Sequence, residues 1–68
     1  MISYKPFWKM LKERGISTYQ LIYHFGILPD TVQRLRSGKA VTTTTLNMLC
    51  VTLGCDISDI LAFEPEEE

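Results

Sequence analysis

The sequence predicts an all-α fold, a compact domain of five short helices, on three observations. Apolar residues recur three and four positions apart, the repeat of a helix with one buried face. Four glycines, Gly15, Gly26, Gly38 and Gly54, each follow such a segment, where a left-handed residue ends a helix at least steric cost. Residues suited to helix starts stand ahead of the segments. Pro6 and Pro29 lack a donor that a first turn does not use, and Ser17, the threonines up to Thr45 and Asp56 offer side-chain oxygens to unpaired amides. No segment shows strand alternation, and no internal repeat is present.

The first helix is expected over Pro6 to Arg14, with Phe7, Met10 and Leu11 inward, Trp8 at the edge, and Lys9, Lys12 and Glu13 outward. The second opens on a capping box, in which Ser17 caps and Gln20 reaches back. Its core residues are Leu21, Ile22 and Phe25, with Tyr19 and Tyr23 four apart on a flank, read as an edge of the core. The third begins near Pro29, with Asp30 placed to complement the helix dipole, and ends at Ser37-Gly38. Val41 to Thr45 form a loop and cap. The fourth helix carries the stripe Leu46, Leu49, Cys50, Leu53. Asp56 caps a short fifth helix with the stripe Ile57, Ile60, Leu61, and Phe63 follows it. The domain therefore covers residues 1–63, and 64–68 form an acidic, frayed tail.

A chain of 68 residues is one small domain with a modest core, for which self-association is a common way to bury more surface. No apolar run approaches a membrane span, and MISYKPFWKM lacks the apolar core of a signal peptide, so a cytoplasmic location is expected. Cys50 and Cys55 do not make a disulfide framework, and Cys50 reads as a small buried hydrophobe. His24 is the single histidine, with no second ligand at a metal spacing. It reads as a solvent-facing position, a phosphate contact at most. No metal, cofactor or small-molecule ligand is expected. The sequence also places no nucleophile beside a base, no motif-placed carboxylate pair and no phosphate-binding glycine loop, so an enzyme is not expected.

Net charge is only −1, but its distribution is uneven. Residues 1–39 hold all seven bases against Glu13 and Asp30, a net +5, whereas residues 40–68 hold six acidic residues and no base, a net −6. Such a split points to one surface for a polyanion and another facing away from it. On the third helix, Leu28, Val32 and Leu35 are expected to face inward, with Asp30, Gln33, Arg34 and Ser37 on the opposite face. A helix held from behind, with hydrogen-bonding groups along its front, is what the DNA major groove admits.

The order of these elements resembles the Cro and lambda-repressor (XRE) family of helix-turn-helix DNA-binding domains, and in particular its small single-domain members. The resemblance runs from about Phe7 to Phe63. It is carried by Leu21, Gly26, Ile27, Val32, Leu35 and Ser37-Gly38-Lys39, then by Leu46, Leu49-Cys50, Leu53-Gly54, Asp56-Ile57 and Ile60. It implies a helix-turn-helix at the second and third helices. It also implies phosphate contacts from Ser17 and Thr18, base-edge contacts from Leu28, Pro29, Asp30, Gln33 and Arg34, and further backbone contacts from Ser37, Lys39 and the threonines that follow. The chain departs from the family pattern at Ile22, where alanine is usual. Leu28-Pro29 supplies no hydrogen-bond donor. Arg36, where glutamate is common, removes an internal salt bridge and adds a candidate phosphate contact.

Two function classes follow as expectations. The first is a sequence-specific transcriptional regulator, a repressor, binding double-stranded DNA as a homodimer through its C-terminal part. Arg34 would bond guanine, Gln33 would be a second reader, and Asp30 would accept from cytosine. The alternative is a protein-interaction module of the same fold, such as an antitoxin, anti-repressor or regulatory subunit, to which the acidic second half is suited.

Overall fold

The computed structural model describes residues 1–65. The elements are β1 (Ile2–Ser3), α1 (Lys5–Arg14), α2 (Thr18–Tyr23), α3 (Pro29–Ser37), α4 (Thr43–Leu53), a 3₁₀ turn (Ile57–Asp59) and β2 (Ala62–Phe63). The cap signals act where the sequence puts them. The Gln20 amide donates to Ser17 Oγ at 3.2 Å while Gln20 Oε1 accepts from the Ser17 amide at 2.9 Å. Thr42 Oγ1 accepts from the Thr45 amide at 3.2 Å and so starts α4, which takes Thr43 to Thr45 into the helix and out of the expected loop.

Among the described residues, the expected five helices are four α-helices and a 3₁₀ turn. Asp56 does cap the last piece, its Oδ1 accepting from the Ile57 amide at 2.7 Å, and Asp59 Oδ2 reaches back to the Asp56 amide at 2.9 Å. The following amides bond three residues back, Asp59 to Asp56 and Ile60 to Ile57, each at 3.0 Å. The helix does not propagate, because the chain turns at once to pair with the N-terminus. Ile57 consequently drops out of the expected stripe and is exposed, while Ile60 is fully buried.

The chain also forms a two-residue antiparallel ladder, which no alternation in the sequence predicts. Ile2 lies opposite Phe63 and Ser3 opposite Ala62, and the Glu64 amide donates to the Met1 carbonyl at 2.8 Å. Lys5 Nζ stands 3.5 Å from a Glu64 carboxylate oxygen. The first residue of the acidic tail is thus tied to the fold, whereas the frayed end expected at Glu66, Glu67 and Glu68 lies outside the described residues. The ladder joins the chain ends without building a core, and the all-α class stands. No helix among the described residues is long and apolar enough to cross a membrane.

The core forms where helical stripes meet: Phe7, Met10 and Leu11 from α1, Leu21 from α2, Val32 and Leu35 from α3, and Leu49 and Leu53 from α4. Tyr4, Ile27 and Ile60 close it. Tyr4 hydrogen-bonds outward through its hydroxyl, which donates to the Lys39 carbonyl at 3.0 Å. Ile22, Phe25, Leu46 and Cys50 are half-buried against this core. Leu28 is not inward as its spacing predicts. It is 67% exposed, because it caps α3 in an extended conformation one residue before the helix begins. The Cys55 amide donates to the Cys50 carbonyl at 3.0 Å, and both thiols are free. Burial, and then the neighbouring Cys50, push the Cys55 thiol above its ordinary range, which leaves it protonated at neutral pH.

Two substitutions separate packing from hydrogen bonding. Leu49→Ala should cost about 2–5 kcal/mol by opening a cavity in a fully buried site. Tyr4→Phe should cost about 1 kcal/mol, the net value of one hydrogen bond. Urea unfolding followed by circular dichroism measures both. Equal losses for the two variants would contradict this division.

Candidate nucleic-acid interface

The turn between α2 and α3 sets the attitude of the exposed helix. Gly26 takes φ +72°, a left-handed conformation that a side chain would strain. The Ile27 amide then bonds back to the Leu21 carbonyl at 2.9 Å, and Ile27 is buried. Leu28 is extended, and Pro29 starts α3 with its φ already fixed. Val32 and Leu35 lie in the core, Thr31 is half-buried, and Pro29, Asp30, Gln33, Arg34, Arg36 and Ser37 are exposed. The polar front expected from helical spacing is therefore present.

The exposed side chains pair along the helix. Gln33 Nε2 donates to Ser37 Oγ at 3.2 Å, one turn on. Arg34 Nε donates to Asp30 Oδ2 at 3.0 Å, and Arg34 Nη1 to the Ala40 carbonyl at 3.4 Å. Asp30 in the first turn and Arg34 and Arg36 in the last complement the helix dipole. At the end of α3, Gly38 is left-handed and the Lys39 amide bonds to the Arg34 carbonyl at 2.9 Å. This turns Lys39 back beside the helix that carries Arg34, with its side chain in solvent.

Arg34 and Arg36 lean to opposite flanks. Arg36 Nη2 donates to Thr18 Oγ1 at 3.0 Å, and its guanidinium lies 5.3 Å from the centre of the Trp8 ring. Trp8 Nε1 in turn donates to the Leu35 carbonyl at 3.3 Å. These contacts join the start of α2, the end of α3 and the face of α1. Arg36 thus supplies a tie between helices, by a cation over an aromatic ring and a hydroxyl.

The structure brings together Thr18 with Arg36, Asp30 with Arg34, and Gln33 with Ser37. It does not bring Ser17 onto α3, because its hydroxyl and amide are used in the α2 cap. Lys9 lies 3.9 Å from Glu13 along α1. His24 is exposed, as expected. Tyr19 and Tyr23 are 69% and 72% exposed with ring centres 4.7 Å apart, so they are not a core edge. Sequence reasoning missed the bracing roles of Trp8 and of the Ala40 carbonyl. The available signal for Trp8 was a lone indole N–H at the edge of an apolar stripe, a donor that must find a partner when partly buried.

The comparisons with known proteins agree with this geometry. The crystal structure of transcriptional regulator VanUg (Form II) superposes with a TM-score of 0.82 at 32% sequence identity, covering 96% of this chain and 87% of that one. No curated protein sequence gave a match. Residues 7–66 match the Cro/C1-type HTH DNA-binding domain, a span that takes in all four α-helices except the first two residues of α1. The one-sided burial of α3, its exposed polar front and this match lead to one conclusion: the chain belongs to the Cro/C1-type helix-turn-helix DNA-binding domain family.

Proposed function

We propose that the protein is a sequence-specific transcriptional regulator that binds DNA as a homodimer, with α3 in the major groove, and represses by occupying its operator. The observation that carries this reading is the division of α3, with Val32 and Leu35 buried and Asp30, Gln33, Arg34 and Ser37 exposed. In this reading Arg34 bonds guanine and Gln33 is the second base reader. Ser17, Thr18, Arg36, Ser37 and Lys39 are the proposed groups for phosphate, and Leu28 and Pro29 would offer apolar contact to a thymine methyl. No catalytic step is assigned to any residue.

Charge and surface support pairing. One chain aims only some of its seven bases at DNA, and few phosphate contacts bind weakly at physiological salt. Two chains double the contacts and set two α3 helices about 34 Å apart, one turn of DNA. Val51 and Phe63 are 75% and 69% exposed in the acidic half of the chain, and Ile57 is also exposed. These apolar groups are the proposed contact between copies.

Arg34→Ala should lower cognate binding by about 1–3 kcal/mol and relax preference at one base pair per half-site. Lys39→Ala should weaken all sequences about equally and lower the salt slope by roughly one unit per subunit. Isotherms on cognate and scrambled DNA at several salt concentrations separate the two effects. If neither variant changes binding while both stay folded, a protein-interaction module becomes the better reading.

Sedimentation equilibrium at micromolar concentration should show a dimer, and Val51→Asp should shift it to monomer with the helical spectrum unchanged. A wild-type protein that stays monomeric at high concentration would contradict pairing in solution.

A further inference from the structure

We infer that Asp30 is a positioning residue for base readout, holding the Arg34 guanidinium for a guanine instead of touching a base itself. This rests on the base-reading role proposed for Arg34. The side chain of Arg34 is long and 49% exposed, and such a side chain in solvent samples many rotamers. Here it is fastened at two points. Asp30 Oδ2 takes the Nε hydrogen at 3.0 Å, and the Ala40 carbonyl accepts from Nη1 at 3.4 Å. The first anchor sits one turn back on the same helix, and the second lies in the loop beyond it. Together they fix both the plane of the guanidinium and its direction.

The donors left over decide what the group can read. With Nε and one hydrogen of Nη1 engaged, the second Nη1 hydrogen and the two on Nη2 remain for a ligand, enough for two N–H bonds to one base edge. Guanine offers O6 and N7 as paired acceptors in the major groove. Adenine offers N7 beside the N6 amino donor, which opposes a second N–H. The oriented arginine therefore selects guanine. Asp30 does not itself need to meet a base, because its Oδ2 is already an acceptor for Arg34.

The exposed ion pair contributes little to folding. Its effect is on binding, since an arginine ordered beforehand gives up less freedom when the cognate base is met. Removing Asp30 also removes a negative charge near DNA, which strengthens attraction to any sequence. The informative quantity is therefore the ratio of cognate to substituted-site affinity at fixed salt, not the affinity itself.

The test is a double-mutant cycle with Asp30→Ala, Arg34→Ala and the double variant, using binding-selected DNA and the same duplex with the guanine of one base pair replaced. Asp30→Ala should lower discrimination at the Arg34 base pair roughly 2- to 10-fold, the range set by ordering one side chain. The double variant should discriminate no less than Arg34→Ala alone, and Asp30→Asn, which keeps an acceptor for Nε, should recover part of the loss. Additive losses, or a loss at a different base pair, would show Asp30 reading a base itself and overturn the inference while leaving Arg34 as a reader. Unchanged discrimination in Asp30→Ala also overturns it. Discrimination that survives Arg34→Ala would remove the readout role of Arg34 and the positioning role with it.

Discussion

Val32 and Leu35 enter the core, and the placement of α3 depends on that burial. They share one apolar cluster with Leu21, Ile27 and Leu49, which are also almost fully buried, so the back of the helix is set first by packing. This is the economical arrangement for a recognition surface. Because the apolar side carries the packing, Asp30, Gln33, Arg34 and Ser37 stay exposed at the helix front, where they pair with one another. Burial of about five such side chains, each worth roughly 1.5–3 kcal/mol, is also a large part of what a chain of this size can gather against its conformational entropy.

Polar contacts then refine the position that packing sets. Trp8 reaches from α1 to the Leu35 carbonyl, and Arg36 crosses from α3 to Thr18 at the start of α2 while lying over the same indole. Tyr4 holds the loop after α3 through the Lys39 carbonyl. The first, second and third helices are thereby joined near the two ends of the surface proposed for DNA. If α3 reads bases as proposed, it must be placed to about a fraction of an ångström, a restraint that the cross-helix ties would supply. Arg36 is engaged on both sides, by the aromatic face of Trp8 and by the Thr18 hydroxyl.

Much of the fold is legible in the sequence because the helix signals are local. The Ser17–Gln20 box, the Thr42 and Asp56 caps and the glycines at 15, 26, 38 and 54 each act within a few residues of their own position. Val32, Leu35, Leu49 and Leu53 are buried as their spacing requires. The failures have the opposite character. Leu28 fits the stripe of α3 but falls one residue outside the helix, and Ile57 fits a stripe of a helix that stops after one turn. The pairing of Ile2 with Phe63 links residues at the two ends of the chain and is too short for any alternation to reveal. For the candidate site, the polar face of α3 follows from spacing alone. The pairings of Asp30 with Arg34 and of Arg36 with Thr18 do not, because they depend on rotamer choice and on how the helices cross.

The central claim is that the exposed face of α3 reads DNA sequence, and selection of bound fragments from a random duplex pool tests it most directly. The account predicts enrichment of a two-fold symmetric site, with half-sites about one helical turn apart and a guanine at a fixed place in each. Recovery of fragments with no shared sequence, under salt at which the protein still binds DNA, would contradict it.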